Sequence, residues 1–166
     1  MSDLLRLTLV RHAEAEAAPF GTEDRVRALT QRGRHEAHAM SRRLRARHTP
    51  PDKLLSSPAE RAWMTAVIFG RELGVAPADI ERDERLYLAS AARLLEVIRS
   101  AGASARHLMV FGHNPGICEL ADGLGDRGVP GMPTCAVYTL EFAAPGWHEL
   151  EWASGMHGEL DWPRQE

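Results

Sequence analysis

Hydrophobic residues recur along this chain in two rhythms, one short and nearly unbroken, the other spaced at threes and fours. The first is clearest in LLRLTLVRH, Leu4 to His12, where one charge at Arg6 interrupts the leucines, valine and threonine before Arg11 and His12 close the run. A run this apolar predicts a strand buried on both faces of a sheet. HLMVFGH, His107 to His113, repeats the logic late in the chain, and a short strand is expected near Asp52 to Ser56, after Pro50-Pro51 breaks the chain. The helical rhythm fills the intervals. Thr30 is placed to cap a helix running to about His48, with Ala37, Met40 and Leu44 as its buried stripe and Arg42, Arg43, Arg45 and Arg47 on a solvated face. Ser57, Pro58 and Glu60 spell a capping box for a second helix, which passes Trp63, Val67 and Phe69 and ends at Leu73-Gly74. Ser90 to Ala101 reads as a third, and Asn114-Pro115 opens a fourth. Glu81 to Tyr87 reads as a short strand and turn, and Ala13 to Thr22 and Gly123 to Pro133 as loops. Ala136 to Phe142 with His148 to Trp152 alternates like a hairpin at the sheet edge, and the last dozen residues read as a tail. Strands alternating with helices make the class α/β.

Composition narrows the possibilities without naming a function. The 166 residues are 44% hydrophobic, enough for one globular domain spanning 1–166. A formal net charge of -3 argues against a general nucleic-acid binder, so any basic site must be local. No run approaches the roughly 18 apolar residues of a membrane span, and Asp3 stands where a signal peptide would carry positive charge. Cys118 and Cys135 lie in apolar contexts without CxxC spacing, which predicts reduced core thiols and a cytoplasmic protein.

Candidate chemistry gathers where the two buried strands end. The carboxyl ends of parallel strands open onto the ligand crevice, so Arg11 and His12 after one strand and His113 after the other would project into the same space. Arg61, in the first turn of the second helix, can reach back to that edge because helical side chains lean toward their own N-terminus. Two arginines, two histidines and a helix N-terminus suit a phosphate. Arg11-His12 alone reads more readily as a strand followed by a polar turn, and the functional case comes from the rest of the chain. His35 and His38 sit three apart on the first helix, but no third ligand is evident, and no metal site is expected.

LVRHAEAE at the front, SSPAERAWMTA in the middle and VFGHNPGI late resemble, in that order, the histidine phosphatase superfamily of phosphoglycerate-mutase-like fold. RALTQRG and RLYLASAARLLEVI are most similar to the small SixA-type phosphohistidine phosphatases. The usual signature begins RHG; here Ala13 takes the glycine's place, a change expected to be tolerated if the backbone needs no positive φ. The resemblance implies a three-layer sandwich whose mostly parallel central sheet has an antiparallel edge strand. It makes His12 the nucleophile, with Arg11, Arg61 and His113 binding phosphoryl oxygens, Arg27 a further phosphate-binding arginine, and Glu84 the match for an acid that protonates a leaving oxygen. The activity implied is cofactor-independent hydrolysis of phosphohistidine on a phosphorylated protein, through a covalent phosphohistidine intermediate. Hydrolysis of small phosphoesters at the same site is the nearest alternative; a non-catalytic phosphate-binding regulatory domain and a metallohydrolase are others. The short connection from Tyr87 to Ser90 supplies no long lid, so the crevice is expected to be open.

Overall fold

Alternation within each strand decides which face of the sheet each residue feeds. In the computed structural model, which describes residues 3–164, β1 (Leu5–Arg11) sends Leu5, Leu7 and Leu9 to one face and Val10 to the other. β4 (His107–Gly112) divides Leu108 and Val110 from Met109 and Phe111 in the same way. Each face has its own core. On the first, α3 (Ala91–Arg99) and α4 (Gly116–Leu124) supply Leu94, Leu95, Ile98, Ile117 and Leu120; on the second, α1 (Gln31–Arg47) and α2 (Glu60–Leu73) supply Ala37, Met40, Ala66 and Phe69. The helices therefore cover both sides of the sheet, giving the expected three-layer α/β sandwich.

The remaining strands are β2 (Lys53–Ser56), β3 (Glu81–Arg82), β5 (Val137–Phe142) and β6 (Met156–Asp161), in the spatial order β3-β2-β4-β1-β5-β6. β3, β2, β4 and β1 run parallel, whereas β5 is antiparallel to β1 and β6 to β5. The register of β1 against β4 pairs Arg11 with Gly112, so His12 and His113 leave the sheet at the same level. No helix of the described residues is long and apolar enough to cross a membrane.

Several local expectations are corrected by tertiary contacts. The edge hairpin does not use His148 to Trp152, where a 3-10 turn (Trp147–Glu149) forms instead, with Trp147 and Leu150 buried in the first core. The Trp147 indole N–H donates to the Ala105 carbonyl at 2.6 Å, which satisfies the ring's polar atom inside that core. The second strand of the hairpin is β6, drawn from the stretch expected to be a tail. Its acids meet arginines of α1 that were assigned to a solvated face: Arg43 pairs with Asp161 at 3.2 Å and Arg47 with Glu159 at 2.7 Å.

The helix starts also shift. Thr30 caps α1 as expected, its hydroxyl accepting from the Gly33 N–H at 2.9 Å. Ser57 does not cap α2, which begins at Glu60 after an Ala59 N-cap with no side-chain bond. Asn114 does not cap α4 either; its amide donates to the Met132 carbonyl at 3.0 Å. The Gly123 to Pro133 stretch is only partly a surface loop, because α4 runs to Leu124 and both Val129 and Met132 are buried.

Candidate active site

His12 is fixed by the end of β1. Its backbone N–H donates to the Gly112 carbonyl at 3.1 Å, continuing the β1/β4 ladder one residue beyond the strand, and its carbonyl accepts from Cys135 N–H at 3.0 Å. The side chain is 8% exposed. Nδ1 lies 2.7 Å from the Ala13 carbonyl, which can only accept, so the ring proton sits on Nδ1 and Nε2 carries the lone pair. Burial first, then the charges of Arg61, Arg11 and Arg27, hold the His12 pKa at about 4, against an opposing push from the Ala13 hydrogen bond. The imidazole is thus neutral at pH 7. Ala13 is buried and is not among the residues with positive φ, so the backbone here places no demand for glycine.

His113 lies beside it, the two ring centroids 5.3 Å apart. Ser57 Oγ is 2.7 Å from His113 Nε2 and accepts from the Ala59 N–H at 3.3 Å. No other acceptor among the described residues meets the Ser57 hydroxyl, so its proton is assigned to Nε2, and the neutral ring then keeps its own proton on Nδ1. That use of Ser57 explains why it is not a helix cap. Burial, followed by the charges of Arg61 and His12, lowers the His113 pKa to about 3. Tyr87 packs edge-on against the ring at 5.7 Å.

The arginines are anchored from several directions. Arg11 Nη1 donates to the Met132 carbonyl at 3.0 Å, from the loop after α4. Arg61, 3% exposed in the first turn of α2, donates through Nη1 to the Asp24 carbonyl and through Nη2 to Asp24 Oδ2, both at 2.9 Å. Thr65, one turn on, accepts from the Ala13 N–H at 3.0 Å and donates to the Arg61 carbonyl at 2.7 Å, tying α2 to the residue after His12. Arg27 reaches Asp24 Oδ1 at 3.1 Å and the Glu16 carbonyl at 2.7 Å. Arg11 Nε, Arg61 Nε and His113 Nδ1 are buried and have no hydrogen-bond partner. Buried donors without acceptors are costly, and three of them on side chains around His12 fit a site made for an anion.

Glu84 does not join this cluster. It stands in the 3-10 turn Glu84–Leu86, 71% exposed, and both its oxygens accept from Arg25 Nη2 at 2.7 Å. Asp24 is the residue that sequence reasoning missed. It opens a 3-10 turn (Asp24–Val26) in the long connection between β1 and α1, and its Oδ2 also accepts from the Tyr87 hydroxyl at 2.5 Å. The Tyr87 hydrogen bond, then those of Arg27 and Arg61, hold the Asp24 carboxyl far below the usual range, so it is ionised. The Arg25 guanidinium lies 4.7 Å over the Tyr87 ring. The crevice expected to be open is therefore bordered by a strap from the β1–α1 connection, tied to α2 by Arg61 and to the turn after β3 by Tyr87 and Glu84. An acid three residues before Arg27 was the available signal, but nothing local says that it binds Arg61 as well. Among the described residues no group of three or more His, Cys, Asp or Glu has metal-holding geometry, and both cysteines are free.

The family model of the histidine phosphatase superfamily (branch 1) matches residues 7–87, the segment carrying Arg11, His12, Asp24, Arg27, Arg61 and Glu84. An uncharacterized protein of Mycobacterium tuberculosis strain H37Rv is 38% identical over 112 residues, which are 68% of this chain and 67% of that protein. Among solved structures, the candidate phosphohistidine phosphatase SixA from Agrobacterium tumefaciens is similar at 29% identity with a TM-score of 0.74, over 82% of this chain and 90% of that one. The candidate SixA from Nakamurella multipartitia has the same fold, with a TM-score of 0.82 over 98% of both chains at 22% identity. The chain belongs to the histidine phosphatase superfamily.

Proposed function

We propose that this protein is a phosphatase that hydrolyses phosphohistidine through a phosphorylated His12. The observation that carries the reading is the state of His12: a neutral imidazole with Nδ1–H held by the Ala13 carbonyl, and Nε2 free to attack beside Arg11, Arg61 and His113. In the first step a P–N bond to the substrate imidazole breaks as a bond from phosphorus to His12 Nε2 forms. The departing ring takes a proton from solvent. Water then attacks the phosphorus, the P–Nε2 bond breaks, and inorganic phosphate leaves. Arg11, Arg61 and the Nδ1–H of His113 meet the charge that builds on the three phosphoryl oxygens, the main demand of such a transfer. Because the reaction runs through His12, it calls for no metal.

The choice of leaving group rests on the acids around the site. An alkoxide leaves poorly without a proton, whereas an imidazole leaves more readily. Asp24 is ionised, and both oxygens of Glu84 are occupied by Arg25, so neither is set as a proton donor. This favours a phosphoramidate over an alkyl phosphate, and the likeness to the Agrobacterium candidate phosphohistidine phosphatase supports the same choice.

Rapid mixing with a phosphohistidine protein labelled in its phosphoryl group, followed by an alkaline quench, tests the reading. Label should appear transiently on His12, His12→Ala should neither acquire label nor turn over, and EDTA should not slow the reaction. Turnover retained by His12→Ala, or lost to EDTA, would remove the proposal. The small-phosphoester alternative predicts that Glu84→Gln slows an alkyl phosphate by about 100-fold, the usual worth of a positioned acid. Equal rates for Glu84→Gln and wild type on both substrates would leave phosphohistidine as the substrate class.

A further inference from the structure

A carboxylate among arginines meant for a phosphoryl group poses an electrostatic problem, since it should repel the substrate it stands beside. Asp24 nevertheless holds Arg61 by two acceptors, its backbone carbonyl and Oδ2, and Arg27 by Oδ1, while the Tyr87 hydroxyl steadies Oδ2. A stand-in for the substrate would use the donors that the substrate needs. Asp24 takes the two Nη groups of Arg61 but leaves Arg11 Nε, Arg61 Nε and His113 Nδ1, which are buried without a hydrogen-bond partner, to an anion. Two acceptors on one residue fix the plane of the Arg61 guanidinium, which a single contact would leave free to turn. A cation held in place beforehand costs no reorganisation when charge develops on the phosphoryl oxygens.

We propose that Asp24 is a positioning residue of this site, whose carboxylate, steadied by Tyr87, holds Arg61 and Arg27 in the orientation a phosphoryl group requires. The inference rests on the reading of the site as a phosphoryl-transfer centre. It opposes simple charge counting, which predicts that removing a carboxylate tightens phosphate binding.

The affinity of the intact protein for inorganic phosphate, measured by calorimetry, decides between them, alongside turnover of a phosphohistidine protein. Asp24→Asn keeps the size of the side chain and removes its charge. It should weaken phosphate binding about 10-fold and lower kcat by at least as much, with Tyr87→Phe falling between it and wild type. If Asp24 acts through Arg61 and Arg27, the double variant with Arg61→Ala should lose clearly less phosphate affinity than the two single losses combined. Where Arg61→Ala does not fold by circular dichroism, Arg61→Lys takes its place in the cycle. Tighter or unchanged phosphate binding by Asp24→Asn, or losses that add fully in the double variant, would overturn the proposal. A wild type that binds phosphate but does not turn over phosphohistidine would sink the proposed reaction and leave the binding cycle to decide on Asp24. A wild type that does not bind phosphate would sink both.

Discussion

His12 and His113 meet because two parallel strands end at the same register, yet their chemistry is set by single partners. The Ala13 carbonyl selects the His12 tautomer, and burial with the neighbouring arginines holds its pKa at about 4. Protonating Nε2 would remove the nucleophile, so the acid limb of activity should fall near pH 4, with little change between pH 7 and 5. An NMR titration of His12 in anion-free buffer checks this; a midpoint at or above the ordinary value of 6.5 would contradict the arrangement. Ser57 does for His113 what Ala13 does for His12. Ser57→Ala should lower kcat/KM about 10-fold, the worth of roughly 1.4 kcal/mol and typical of one lost buried hydrogen bond, while phospho-His12 still forms. Arg11, His12, Arg61 and His113 were all legible as candidates, because each ends or follows a strand or lies in the first turn of a helix. Ser57 was legible too but given the wrong role, since its pattern also fits a capping box and only the fold brings His113 within reach.

At the scale of elements, the seating of α4 sets how His113 and the phosphate-binding edge are presented. Gly116 begins that helix against the Ala89 backbone, where an added Cβ would lie 1.9 Å from the carbonyl oxygen. A backbone atom cannot swing aside as a side chain can. Gly116→Ala should therefore cost at least the roughly 1 to 3 kcal/mol of ordinary overpacking and reduce activity, because α4 and the Ala89 segment must part. Gly131→Ala, where a Cβ would meet nothing within 4 Å, is the matched control and should leave both unchanged. Thermal melts and turnover of the two variants test the pair, and equal behaviour would refute the close-approach argument. The strap at Asp24–Val26 belongs to the same scale. Its turn forms locally, but Arg61, Tyr87 and Glu84, which anchor it, come from two other elements.

For the whole molecule, the buried histidines couple stability to pH. His12 and His107 have pKa values of about 4 and His113 about 3, each lowered chiefly by burial from the ordinary 6.5. His107 is far from the site, held by Thr8 Oγ1 at 2.9 Å near the other end of β4. A group depressed in the folded state binds its proton first in the unfolded chain, so stability is full above pH 6.5 and falls as the pH drops toward 4. At ~1.4 kcal/mol for each pKa unit, the three together should cost on the order of 10 kcal/mol across that window. Thermal melts at pH 7.5, 6.5, 5.5 and 4.5 should show a falling midpoint, partly restored by phosphate if the anion binds the folded form alone. A midpoint that stays level to pH 5 would mean that these rings are better solvated than their burial implies. The sequence by itself determined the buried strands β1 and β4, the four helices and the side chains at their ends, because apolar runs and periodic stripes are properties of neighbouring residues. Only the tertiary structure decided that Met156–Asp161 closes the sheet, that Trp147 and Leu150 fill a core, and that Asp24 binds Arg61. In each case the stabilising partner is remote in the chain, Val137–Phe142 for β6 and Arg61 for Asp24, and a contact of that kind leaves no period or cap in the local pattern to be read.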